Sequence, residues 1–237
     1  MRKPLLLLLL LALAACSNPV PSFTHLGSMA PGGSITVRNA RGDISAYAPE
    51  RGAPRDVYTI EAFTNDSSEK PVVQSRGNRL AVHIPGQTGS VRYLVRGPQG
   101  VTLNLATRAG SINVADVPGV VDATTGTGDI KVLVSGYANA YAKTGNVTVF
   151  FGSTDWPGTL HFGAGTGNVE VWINATAKLH VHLHTDNGSI FTDFPLKGTS
   201  HGTNETIDGS INGGANRGVD IEIHSGVVRV LQLKPQV

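Results

Sequence analysis

A five-residue phrase recurs along the chain: glycine, then Ser, Asp or Asn, then Ile or Val, then any residue, then usually Val. It reads Gly110-Ser111-Ile112-Asn113-Val114, Gly128-Asp129-Ile130-Lys131-Val132, Gly145-Asn146-Val147-Thr148-Val149 and Gly167-Asn168-Val169-Glu170-Val171. It loosens into Gly188-Ser189-Ile190, Gly209-Ser210-Ile211 and Gly226-Val227-Val228-Arg229-Val230. A repeat of this length means stacked strand units, each covering an apolar face that a single unit cannot bury. The repeat therefore constrains architecture and names no substrate.

Each interval has room for two short strands and two turns. Counting back from the glycines, positions seven and five before them are mostly apolar or small: Val121 and Ala123, Ala138 and Ala140, Leu160 and Phe162, Val181 and Leu183, Val219 and Ile221. The Gly209 unit departs, with Gly202 and Asn204. Two positions after the glycines stand Ile112, Ile130, Val147, Val169, Ile190, Ile211 and Val228. Side chains alternate between faces along a strand, so these two columns point inward and stack from rung to rung. The glycine supplies a positive φ or a close backbone approach. The small polar residue after it is expected to bond back to its own turn.

Alternation also marks Ser34-Ile35-Thr36-Val37-Arg38, Asp43-Ile44-Ser45-Ala46-Tyr47, Val57 to Phe63, Arg79 to Ile84 and Val91 to Val95. No window has a helical period. The expected fold is all-β, a β-solenoid or β-helix-like stack of two-strand rungs, with a β-sandwich as the alternative. One domain over 33–237 divides into a less regular part, 33–107, and regular rungs, 108–237.

The N-terminus reads as an address. Arg2 and Lys3 precede an apolar run from Leu5 to Ala15, too short for the about 20 residues a bilayer span needs. Residues 1–15 read as a secretory signal. Leu13-Ala14-Ala15-Cys16 resembles a bacterial lipobox, which predicts acylation of Cys16, the single cysteine of the chain. Ser17 after it implies outer-membrane sorting, on the periplasmic face or the cell surface. Residues 16–32, broken by Pro19, Pro21 and Pro31, read as a lipidated tether.

The formal charge of +2 includes Arg2 and Lys3, and without them basic and acidic residues balance at 17 each. A neutral mature chain lacks the electrostatic footprint of a nucleic-acid binder. Nine arginines lie in residues 17–118, a bias that an exposed sheet readily carries.

The array, preceded by Gly33-Ser34-Ile35-Thr36-Val37 and Arg79-Leu80-Ala81-Val82, resembles a bacterial β-strand-repeat family labelled "putative adhesin", with a domain of unknown function. Leu103 to Ile112 and Val120 to Thr125 carry the resemblance, which covers residues 33–231. It implies a repeat fold and brings no catalytic residues.

Chemistry is concentrated in His180-Val181-His182-Leu183-His184, whose imidazoles share one strand face. Aligning rungs by their glycines places His161, His182, His184 and Glu205 on one outer patch. Imidazole with carboxylate suits Zn²⁺ or Cu²⁺. Asp122, Tyr141 and Glu222 are the expected surface-interaction residues, facing a protein or polysaccharide partner. No nucleophile elbow, phosphate loop or dinucleotide fingerprint occurs. Asp122, Asp129, Asp220 and Glu222 keep a carbohydrate-active β-helix as the enzymatic alternative. The expectation is a lipid-anchored, non-enzymatic adhesion or structural module without a resident cofactor.

Overall fold

The computed structural model describes residues 19–134, 136–151, 156, 158–214 and 216–233. The expected signal segment and Cys16 lie outside the described residues. Among these residues there is no helix, and 19 strands form one sheet of mixed orientation.

In chain order, β1 (Phe23–Ser28) precedes β2 (Ser34–Arg41) and β3 (Ile44–Tyr47), the first pair joined by a glycine corner. Next come β4 (Val57–Phe63), β5 (Val72–Ser75), β6 (Arg79–His83) and β7 (Arg92–Arg96). Glycine-jointed pairs follow: β8 (Thr102–Ala109) with β9 (Ile112–Ala115), and β10 (Val120–Thr127) with β11 (Ile130–Val134). β12 (Tyr137–Thr144) with β13 (Val147–Phe151) and β14 (Gly158–Thr166) with β15 (Val169–Asn174) continue the series. β16 (Leu179–Thr192) runs through its corner as one long strand, β17 (Gly198–His201) and β18 (Asn204–Ile211) form a hairpin, and β19 (Arg217–Leu233) closes the chain.

The first strands of the pairs stack in parallel as β6-β2-β8-β10-β12-β14-β19-β16. The second strands stack as β7-β3-β9-β11-β13-β15-β19-β16. Spatial order departs from chain order at both ends. β19 inserts between β14–β15 and β16, and β2–β3 insert between β6–β7 and β8–β9. Antiparallel strands flank the outermost pairs: β5 on β6, β4 on β7 with β1 on β4, and the β17–β18 hairpin on β16. Such coverings shield the backbone groups of the parallel array.

Both predicted columns lie in one apolar core, from Val121 and Ala123 to Val219 and Ile221 on one side and from Ile112 to Val228 on the other. Gly209 is not a corner, because β18 runs antiparallel to β16 with Gly209 opposite Val181. That reversal is why Gly202 and Asn204 break the pattern. Gly42 is a corner that the glycine count leaves out: Gly42-Asp43-Ile44 follows the phrase, and Asp43 and Ile44 align with Ser111 and Ile112. The division at 107 therefore does not separate an irregular part from the rungs.

The expected tether also contains structure. β1 pairs with β4 from Phe23 opposite Ala62 to Ser28 opposite Val57. Pro21 and Pro31 bracket this strand without entering it, so an edge strand forms between them.

The corner glycines Gly42, Gly110, Gly128, Gly145, Gly167 and Gly226 have φ between 110° and 154°. A Cβ on Gly110 would collide with the Gly42 carbonyl oxygen. The same holds for Gly128 against Gly110, Gly145 against Gly128, Gly167 against Gly145, Gly226 against Gly167 and Gly188 against Gly226. The glycines therefore stand directly on one another. The polar residues after Gly42, Gly110, Gly128, Gly145 and Gly167 bond to the neighbouring rung rather than to their own turns. The Asp43 carboxylate accepts the Ser111 N–H at 2.8 Å, Asp129 accepts that of Asn146 at 2.8 Å, Asn146 that of Asn168 at 3.0 Å, and Asn168 that of Val227 at 3.0 Å.

Gly145→Ala forces a methyl into backbone that cannot rotate away and is expected to destabilise by about 3 kcal/mol. Gly77→Ala has φ of 57° and open space around it, so only the backbone penalty of about 1 kcal/mol remains. Urea midpoints of the two variants measure the difference.

Tyr93 is fully buried, and its hydroxyl has no hydrogen-bond partner. Burial, reinforced by the Glu69 carboxylate, pushes its phenol well above the ordinary value. The folded phenol keeps its proton when the unfolded one, with a pKa near 10, loses it. Stability is therefore lost as pH rises above about 10. Tyr93→Phe should be near neutral at pH 7 and should lose less stability at pH 11 than the wild type, read by denaturation at the two pH values.

Candidate functional site

Outward positions on the first-strand face form a polar row, six residues before each corner glycine. Asn104, Asp122, Asn139, His161, Asp220 and His182 align across β8, β10, β12, β14, β19 and β16, and Asp208 of β18 faces His182. Asn139 donates to Asp122 at 2.8 Å and accepts the His161 N–H at 3.0 Å. His161 Nδ1 lies 3.1 Å from Asp220 Oδ2, and His182 Nδ1 lies 3.1 Å from Asp208 Oδ2. The inward neighbours Leu179, Val181 and Leu183 are buried, which is what turns His180, His182 and His184 outward.

A second row, four residues before the glycines, carries Thr124, Tyr141, Gly163 and Glu222. Gly163 leaves a gap in that row, and the Tyr141 ring lies over it. The result is a shallow depression of about 280 Å³ lined by Asp122, Asn139, Tyr141, His161, Asp220 and Glu222. Tyr141 is 46 % exposed there, a high value for a large ring in a sheet. The three expected surface residues Asp122, Tyr141 and Glu222 thus stand around one hollow.

The expected metal set does not gather. Glu205 pairs with Thr185 rather than beside His184, and its carboxylate accepts the Ile190 N–H at 2.8 Å. The cause is the antiparallel β18, which invalidates alignment through Gly209. His184 is held by Thr206 at 2.9 Å and Asp186 at 3.0 Å, and Asp186 also binds His224 Nδ1 at 2.9 Å. Donor atoms of His182, Asp220 and Glu222 do converge, within 4.8 Å of one another. Asp208 and His224 carry no repeat signal of their own; only strand pairing brings them to the histidines. Asp129, among the carboxylates of the enzymatic alternative, is committed to the corner ladder.

The second-strand face differs in character. Leu133, Phe150, Trp172 and Leu231 form an outward apolar row, with Phe150 and Trp172 stacked at 6.0 Å and Lys131 over Phe150 at 5.7 Å.

No protein-family model matches the chain, and no curated protein matches it significantly. Solved structures do. A "putative cell adhesion protein" from Clostridium sporogenes aligns with TM-score 0.50 at 11 % identity, covering 89 % of this chain and 99 % of that one. A "putative adhesin" from Bacteroides fragilis aligns with TM-score 0.37 at 10 % identity, covering 89 % and 96 %. At such identity, the likeness to the first is one of fold.

Hydrogen bonds from His224 and then His184 hold the Asp186 carboxyl below its ordinary value. The stabilisation is present above the unfolded carboxylate range and is lost as pH falls through the lowered folded value. In an NMR titration Asp186 should titrate below an ordinary Asp, and His224→Ala should raise its midpoint more than His184→Ala.

Proposed function

We propose that the protein is a lipid-anchored, non-enzymatic interaction module of the bacterial cell envelope, a β-solenoid-like stack held to the outer membrane through Cys16. The hollow around Tyr141 is its contact surface. The observation that carries this reading is the exposed Tyr141 ring over Gly163, ringed by Asp122, Asn139 and Glu222 on a flat parallel face. A tyrosine offers an apolar ring with a polar tip, and the surrounding carboxylates and amide accept and donate hydrogen bonds. The fold likeness to a structure named as a cell adhesion protein supports an adhesive role.

The hollow fits a polysaccharide. Its volume of about 280 Å³ suits a small unit such as a sugar ring. A stable protein interface would need about 1,200 Å² or more of buried surface. Repetition of the polar row across the strands lets one extended chain lie along it.

The test is cosedimentation of purified protein with peptidoglycan sacculi and with envelope polysaccharide. Tyr141→Ala and Asp122→Ala should each weaken binding by about tenfold, equal to 1.4 kcal/mol, with no change in unfolding midpoint. Binding only to an envelope protein, or binding indifferent to Tyr141, overturns the glycan reading. Cys16→Ser should release the protein from membranes in fractionated cells and abolish labelling by a fatty-acid analogue. Two or three acyl chains are what a durable anchor requires.

A further inference from the structure

The convergence of His182, Asp220 and Glu222 differs from the other histidine clusters of this face. Asp220 and Glu222 sit two residues apart on β19 and share its outer side, and His182 stands opposite Asp220 on the neighbouring parallel strand β16. All three are carried by paired strands, so their spacing is set by sheet geometry rather than by a loop.

His182 and Asp220 each have one atom already engaged. His182 Nδ1 is 3.1 Å from the Asp208 carboxylate, which itself is steadied by His180 Nε2 at 3.5 Å. A carboxylate only accepts, so the shared proton resides on Nδ1 and Nε2 is left with its lone pair. Asp220 Oδ2 is bound by His161 Nδ1 at 3.1 Å, which leaves Oδ1. Oδ1 is buried and has no hydrogen-bond partner, although the Asp220 side chain as a whole is 24 % exposed. A buried carboxylate oxygen without a partner is costly, and a bound cation would satisfy it.

We propose that His182, Asp220 and Glu222 bind one first-row divalent transition-metal ion, with Zn²⁺ as the best match. One imidazole and two carboxylates suit a borderline ion; Ca²⁺ calls for six to eight oxygens. Two ligand atoms at about 2.1 Å from a common ion lie up to about 4.2 Å apart, so donors within 4.8 Å need only small rotations to close on it. Asp208 orients the His182 ring, the carboxylate–histidine–metal arrangement that holds a ring in its binding tautomer, and His161 orients the Asp220 carboxylate. Three protein ligands leave a fourth position open, and two of them, Asp220 and Glu222, also line the Tyr141 hollow. By contrast, both ring nitrogens of His184 are taken, by Thr206 and Asp186, so that cluster is a closed ion-pair network.

The site stands or falls without reference to any polymer, since the probe is the metal alone. Chelator-treated protein is titrated with Zn²⁺ by calorimetry and with Co²⁺ by visible absorption. The expected result is one ion per chain. His182→Gln and Asp220→Asn should each weaken Zn²⁺ binding at least 100-fold, and Asp208→Asn, which touches no ion, about 10- to 100-fold. The double variant His184→Ala with His224→Ala should bind as the wild type does. Absence of one-to-one uptake overturns the proposal, as does uptake that follows His184 and His224 and ignores His182. Should Asp220→Asn fail to fold, His182→Gln decides, because its side chain is exposed enough to be replaced without disturbing the core. Polysaccharide binding that survives while metal binding fails rejects this site and leaves the contact surface in place.

Discussion

The closest contact between rungs is backbone on backbone. From Gly110 onward each corner glycine lies where any side chain would strike the carbonyl oxygen of the neighbouring corner glycine, and at Gly42 it would strike that of Val91. This column sets how far apart successive rungs stand and keeps their registers locked. The apolar columns two after and five before the glycine can then stack without offset. A one-residue slip would send both columns to the solvent face, so corner and core enforce the same register. The Asp43–Ser111 and Asp129–Asn146–Asn168 hydrogen bonds add a polar rail beside the glycines, tying side-chain acceptors to the backbone N–H of the next rung.

Because corner and core use up the inward positions, the outer positions are free to carry chemistry. The two faces have used that freedom differently. The first-strand face has a polar row from Asn104 to Asp208, with the Tyr141 hollow beside it; the second has the Leu133–Phe150–Trp172 row. A parallel sheet brings equivalent positions of neighbouring rungs side by side, so one substitution per rung is enough to assemble a site from β10, β12, β14, β19 and β16. The glycine at 163 is the clearest example: it removes a side chain from the row and thereby makes room for the tyrosine ring.

Much of this was legible in the chain. The period-two alternation placed Val121, Leu160, Val181 and Ile221 inside and the three histidines outside, because a strand has only two faces. Asp122, Tyr141 and Glu222 could be singled out as outward residues of three separate units. Equal spacing does not mean equal direction. Gly209 sits one period after Gly188, but it lies in a returning hairpin. A sequence repeat carries no sign of strand direction, so alignment by the repeat sets Glu205 beside His184, whereas the strands pair it with Thr185. Pro21 and Pro31 suggested an irregular tether, yet proline constrains only the positions it occupies and those beside it.

The sequence by itself determined the all-β architecture, the inward columns and most of the corner glycines, because these follow from local sterics and from alternation within single strands. Tertiary structure alone decided the order of the rungs. β19 enters between β15 and β16, and β2–β3 enter between β7 and β9, since the outermost rungs are closed by antiparallel strands and the chain must return to fill the gap. That insertion puts Asp220 and Glu222 beside His182, and the hairpin puts Asp208 behind it. These neighbours are distant in sequence and carry no common motif. Only hydrogen bonding between strands brings them together.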